Sequence, residues 1–231
     1  MTPVNVFVTG GTGYMGGRLI PALIARGHGV DALVRAESKR RLAAGAIAIV
    51  GDVLSRTSIA RAIARDSVVV HLVGTPHPSP AKAAQFEAVD FVSARECIAA
   101  ARSAGARHFV YVSVAHPAPV MHAYIDVRMR GEVLLRESGI AHTVLRPWYV
   151  LGPGHRWAYA LLPVYWLLGA IPSTRDSARR LGMVTLDEMI AALVWAVETA
   201  GTESRVLEVP DIRTHRPENK RQRPGAEAPD R

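Results

Sequence analysis

Cysteine is nearly missing from this chain of 231 residues. Cys97 stands alone, so no intramolecular disulfide can form, and no cysteine cluster exists to hold a metal. The nine histidines include no i,i+4 pair with a carboxylate partner, and no metal site is expected. A GxSxG elbow is also lacking, which argues against a hydrolase of that type. No apolar run approaches the roughly 20 residues of a spanning helix. No charged segment followed by an apolar one opens the chain, so neither a signal peptide nor a spanning helix is expected, and a cytoplasmic location follows as the expectation. Acidic residues are scarce: 20 Asp and Glu face 28 Lys and Arg, a net charge of +8. The excess is diffuse apart from residues 213–231, where six basic side chains outnumber three acidic ones. That distribution suits a basic surface with an anion-binding pocket better than a nucleic-acid partner.

The remainder is the composition of a folded domain. Hydrophobic residues make up 49% and charged ones 21%. A chain of this length can bury roughly 70 to 75% of its unfolded surface. Short, nearly continuous apolar runs at Val4–Thr9, Val30–Val34, Ile47–Val50, Val68–Val73 and Phe109–Val112 suit parallel strands covered on both faces. Helical patterns alternate with them at Glu37–Ala44, Ser55–Arg65 and Ala83–Ser103, then at Tyr124–Glu137. A strand at His142–Leu145, a helix at Leu186–Glu198 and a strand at Val206–Val209 complete the pattern. The alternation predicts an α/β fold, a doubly wound and mostly parallel Rossmann-like sheet, with ligands at the carboxyl ends of its strands. One domain is expected over residues 1–212, including a small lid or substrate lobe around 147–180. A Pro-, Gly- and charge-rich tail over 213–231 is expected to be disordered.

Gly10, Gly13 and Gly16 form GxxGxxG directly after the first strand and at the start of a helix. There a tight turn lets backbone approach a pyrophosphate, and free helix N–H groups face it. The segment Thr9–Gly17, TGGTGYMGG, resembles the glycine motif of the short-chain dehydrogenase/reductase superfamily. Other segments agree in order. Asp52 and Val53 resemble the aspartate-apolar pair beside the adenine, and HLVG at His71–Gly74 resembles the loop after strand four. RHFVYVS at Arg107–Ser113 resembles strand five with its catalytic serine. LRP at Leu145–Pro147 and GPG at Gly152–Gly154 resemble the extended and atypical branches, notably NmrA-like reductases and relatives of the nucleotide-binding accessory subunit of complex I.

The resemblance implies a nicotinamide cofactor held by Gly10, Thr12, Gly13, Tyr14, Met15, Gly16, Asp52, Val53, Leu72, Val73, Gly74 and Pro147. It also implies a catalytic serine at Ser113 and a tyrosine at Tyr124. The family lysine, four residues after the tyrosine, is replaced here by Arg128. Arginine keeps the positive charge but cannot give up a proton. Two readings stay open: a reductase in which Tyr124 is the acid, Ser113 the polariser and Arg128 the cofactor clamp, or a non-catalytic protein in which Tyr124 and Arg128 only bind the cofactor. Asp31 begins strand two, roughly 13 Å from its tip, where Arg35 stands. A basic residue at that tip suits a 2′-phosphate, so NADP is expected, with NAD possible.

Three of the four tryptophans fall between Trp148 and Ile171. The segment 157–168 is expected to be a hydrophobic lid over a small apolar or quinone-like ligand, or else a contact for a membrane surface or protein. Oligomeric state is not legible in the sequence.

Overall fold

The computed structural model describes residues 2–153 and 180–215. Seven parallel strands form the central sheet: β1 (Asn5–Thr9), β2 (Gly29–Val34), β3 (Ile47–Val50), β4 (Val68–His71), β5 (His108–Val112), β6 (His142–Leu145) and, after two short strands, β9 (Arg205–Leu207). Their order is β3-β2-β1-β4-β5-β6-β9. The order reverses between β1 and β4, and this doubly wound arrangement opens a crevice at their carboxyl ends. A second, two-stranded parallel sheet, β7 (Tyr149–Leu151) with β8 (Met183–Thr185), was not anticipated from the sequence.

Side chains alternate across the sheet, so each strand feeds two cores. Val6 and Val8 of β1, with Val68 and Val70 of β4 and Val110 and Val112 of β5, pack on one face. There they meet α1 (Gly16–Ala25) and α6 (Leu186–Glu198) through Leu19, Leu23, Met189 and Leu193. Phe7, Val69, Phe109 and Tyr111 point to the other face, against Ala94, Cys97 and Ile98. These last belong to a helical column that runs from α3 (Ala83–Gln85) through a π-helical segment (Phe86–Phe91) into α4 (Val92–Ala104). Pro21 sits inside α1 without breaking it, although it has no N–H to give to the Gly17 carbonyl.

Some expected boundaries move. The helix expected at 37–44 is a single 3-10 segment, Ala36–Arg41, in which only Ser38 is buried; it has no apolar stripe to sustain an α-helix. The helix expected at 55–65 shortens to α2 (Arg56–Ala60), where the Ser55 hydroxyl accepts from the Ser58 N–H. Helix α5 (His122–Glu137) starts two residues earlier than expected. The strand expected at Val206–Val209 ends at Leu207, because Pro210 lacks a ladder N–H and Val209 opens α7 (Val209–Thr214). Arg213, expected to begin the disordered tail, instead lies in α7 and donates through Nε to the Met183 carbonyl at 2.8 Å. His215 stacks on Trp195 with ring centroids 4.7 Å apart. The rest of the expected tail, residues 216–231, lies outside the described residues, as do Gly154 and the aromatic segment 157–168.

Candidate active site at the strand tips

The glycine turn follows β1 directly. Gly10 has φ +77°, and a Cβ there would lie 2.9 Å from the carbonyl carbon of Leu72. The end of β1 and the loop after β4 therefore touch backbone to backbone. A Cβ on Gly16 would lie 2.4 Å from the Gly10 oxygen, so the start of α1 is also closed onto the turn. Thr12, Gly13, Tyr14 and Met15 lie between them, with the Gly13 N–H donating to Gly10 O at 3.0 Å. Met15, the cap residue of α1, makes no side-chain cap bond, and the first turn carries no acid. An uncapped helix N-terminus that no carboxylate occupies fits a diphosphate.

Arg35 stands one residue beyond β2 as expected, exposed, with Nε 3.3 Å from a Glu37 carboxylate oxygen. Asp31 pairs in the strand between Phe7 and Ile47, away from that tip. Burial pushes the Asp31 carboxyl above its usual range. Asp52 follows β3; its carboxylate accepts from the Leu54 N–H at 2.9 Å, and its own N–H donates to Ser58 Oγ at 3.0 Å. Val53 packs on the second core. Leu72 N–H donates to Thr9 O at 3.0 Å, continuing the β1–β4 ladder toward Val73 and Gly74. The Pro147 carbonyl accepts from the Ala115 N–H at 3.0 Å, tying the loops after β5 and β6 together.

Helix α5 delivers Tyr124 and Arg128 on one face, one turn apart. The Arg128 guanidinium carbon lies 5.2 Å from the Tyr124 ring centroid. Its position is set by buried partners: NH1 donates to Val112 O at 3.1 Å, and NH2 donates to Asp90 Oδ1 at 2.6 Å and to Val73 O at 3.4 Å. Arg128 thus spans the tips of β4 and β5. Burial opposes its charge, but Tyr124, Tyr111 and Asp90 outweigh that effect and hold its pKa above the ordinary value. A Cβ on Gly74 would lie only 2.3 Å from Arg128 NH2, so glycine makes room for this arrangement.

Ser113 is buried just beyond β5, and its hydroxyl donates to Glu132 Oε1 at 2.5 Å. Glu132 is in turn gripped by Arg146, whose Nε donates to the same oxygen at 3.0 Å and whose NH2 holds the other oxygen. Arg146 NH1 continues to Glu208 at 2.8 Å. Arg128 is thus tied to the end of β5 at Val112, one residue before Ser113, while the serine proton is held by Glu132, two turns along α5 from Tyr124.

His71, the last residue of β4, is fully buried between Thr9 Oγ1 (2.8 Å from Nδ1) and Ser93 Oγ (3.4 Å from Nε2). Ser93 gives its own proton to Asp90 O at 3.2 Å, so it accepts from Nε2–H, and Nδ1 accepts from Thr9. Burial first, and the Arg128 charge second, push the His71 pKa down to about 3. The sequence reading missed Asp90, Phe86 and Glu132. Glu132 had a visible signal, since it continues the one-turn spacing Tyr124, Arg128, Glu132. Asp90 had a weaker one, as an acid flanked by Val89, Phe91 and Val92.

Comparisons with known proteins agree with the fold and with nucleotide binding. A family model described as NAD(P)H-binding matches residues 10–158. A 3-diazoavenalumate denitrifying reductase from a Streptomyces species is 32% identical, covering 86% of this chain and 74% of that protein. A farnesyl-dihydroquinoline-oxide ketoreductase from Stigmatella aurantiaca is 30% identical over 64% of this chain, and the match spans only 51% of that protein. A ceramide reductase from Caulobacter vibrioides is 26% identical over 82% of this chain and 59% of its own length. Among solved structures, the Bordetella bronchiseptica enzyme WbmH in complex with NAD+ superposes with a TM-score of 0.67 at 20% identity, covering 89% of this chain and 75% of that one. The UDP-glucose 4-epimerase of Thermotoga maritima superposes with a TM-score of 0.65 at 20% identity, covering 88% and 76%. Those two share the fold. With its glycine turn, strand order and a family match over well over half its length, the chain belongs to the NAD(P)H-binding family of Rossmann-type domains.

Proposed function

We propose that the protein is an NADPH-dependent reductase acting on an apolar carbonyl or quinone-like compound. The observation that carries this reading is the Tyr124 ring set against the Arg128 guanidinium at the tips of β4 and β5. The three relatives named above are all called reductases or ketoreductases, which supports the same reaction class.

The bound cofactor supplies the hydride. Tyr124 passes the proton to the oxygen of the reduced group. Arg128, locked to the strand tips, orients Tyr124 and the cofactor ribose, and its fixed charge favours negative character beside it. Ser113 polarises the substrate oxygen once its hydroxyl turns from Glu132. Asp52 and Val53 would border the adenine, and Leu72, Val73, Gly74 and Pro147 would border the nicotinamide half. Arg35 meets the 2′-phosphate in place of Glu37, making NADP the preferred cofactor.

A second reading, a non-catalytic NAD(P)H-binding protein, is favoured by one observation: Asp90 turns the Arg128 charge inward. Purified protein incubated with NADPH or NADH and a panel of aldehydes, ketones and quinones separates the two. Cofactor consumption with an apolar ketone or quinone is the expected result; binding without consumption across the panel would favour the second reading.

A further inference from the structure

The helical column facing α5 changes its winding at one place, the π-helical segment Phe86–Phe91. Widened turns of this kind re-aim the side chains they carry and concentrate at functional sites. Phe86, at the start of the segment, lies against Tyr124 with ring centroids 5.1 Å apart. Asp90, four residues on, reaches Arg128, which is four residues after Tyr124. Two one-turn pairs thus meet in register across the helix interface. Arg130 closes the outer edge, its guanidinium carbon 3.8 Å from the Phe91 ring centroid and NH1 2.5 Å from Glu87.

Asp90 is more fully committed than an incidental ion pair requires. Its side chain has no exposure to solvent. Oδ1 takes the Arg128 NH2 at 2.6 Å, while Oδ2 accepts from both the N–H and the hydroxyl of Thr75, at 2.9 and 2.6 Å. Three donors, from α5 and from the loop after β4, converge on one carboxylate. A buried ion pair brings little net stability compared with an apolar pair of similar volume, so stability alone gives weak reason for it here. The groups that it joins are Arg128, which itself reaches Val73 O and Val112 O at the strand tips, and Thr75 of the loop after β4.

We propose that Asp90 is a positioning residue of this site: its carboxylate holds the Arg128 guanidinium against the strand tips, where it is in place for the cofactor and for Tyr124. This rests on the reductase reading only for its turnover arm. Asp90 touches neither the reacting atoms nor, directly, Tyr124. It acts through Arg128, and removing Arg128 must therefore remove the need for Asp90.

The test is a cycle of Asp90→Asn, Arg128→Met and the double variant in the full chain, measuring NADPH affinity by its fluorescence, turnover with the best substrate found, and Tm. In the wild-type background Asp90→Asn is expected to weaken NADPH binding about tenfold and to lower turnover by a similar factor or more. In the Arg128→Met background the same change is expected to alter affinity less than twofold. If Asp90→Asn alone fails to fold, with Arg128 left buried and unpaired, the comparison of Arg128→Met with the double variant decides. Equal affinities support the proposal. A further tenfold loss in the double variant would mean that Asp90 acts through Thr75 or the fold at large, and would overturn it. So would wild-type affinity and turnover in Asp90→Asn. Should the wild type bind NADPH but reduce nothing, the reductase reading fails while the affinity arm still decides the role of Asp90.

Discussion

Gly74 sits where a single methyl group would press on the Arg128 guanidinium. A Cβ would stand 2.3 Å from Arg128 NH2 and 3.3 Å from Asp90 Oδ1, so Arg128 must leave its carbonyl partners to accommodate it. Gly74→Ala is expected to weaken NADPH binding about tenfold and to reduce turnover, with a Tm change of a few degrees; cofactor titration and a thermal melt read both. His71 carries a different kind of penalty. Its pKa falls from an ordinary 6.5 to about 3 because the buried ring excludes charge. The unfolded chain therefore binds a proton that the folded one refuses as pH drops through that window. Stability present above pH 6.5 is lost at about 1.4 kcal/mol per pH unit below it, until the ring protonates near 3. His71→Gln removes this slope, and unfolding followed between about pH 7 and pH 5 is expected to show a smaller acid loss for the variant than for wild type.

At the scale of elements, local chemistry decides where helices begin. The Thr185 hydroxyl accepts from the Glu188 N–H at 3.2 Å while the Glu188 carboxylate accepts from the Thr185 N–H at 2.8 Å, a reciprocal cap on α6. Thr185→Ala is expected to reduce stability by about 1 kcal/mol without altering cofactor affinity, measured by denaturant unfolding. The apolar runs in the sequence located β1 to β6: β4 and β5 are buried on both faces, whereas the edge strand β3, expected to be covered on both faces, leaves Ile47 and Val50 exposed; the long Ala-rich helix was equally visible. The π-helical segment was not, because Phe86 and Asp90 fit an ordinary helical face as well. The pairing of β7 with β8 was hidden for another reason: three-residue strands joined across more than thirty residues leave no periodic signal. At the site, the closeness of Tyr124 and Arg128 was legible from their one-turn spacing, whereas Asp90, the partner of Arg128, lies 38 residues away in sequence and became visible only through the packing of two helices. The serine's bond to Glu132 likewise joins β5 to α5 through a contact that no local pattern encodes.

For the molecule as a whole, strand order fixes where chemistry can occur. The reversal between β1 and β4 brings the glycine turn, the loop after β4 and, through Arg128, helix α5 to one edge of the sheet. The basic tip of β2 lies next along that edge, where Arg35, Lys39 and Arg40 are all exposed. Arg35→Glu is expected to weaken NADPH binding at least tenfold while changing NADH affinity by no more than a few-fold; equal affinities for both cofactors in wild type, unmoved by the substitution, would remove the 2′-phosphate assignment.

The proposed reductase mechanism depends on Tyr124 as proton donor. Its most direct test is NADPH oxidation by wild type and by Tyr124→Phe with the same ketone or quinone, alongside cofactor affinity. Loss of the hydroxyl alone is expected to lower turnover about 10²- to 10⁴-fold while leaving NADPH affinity within a few-fold. Wild-type turnover in Tyr124→Phe would contradict it.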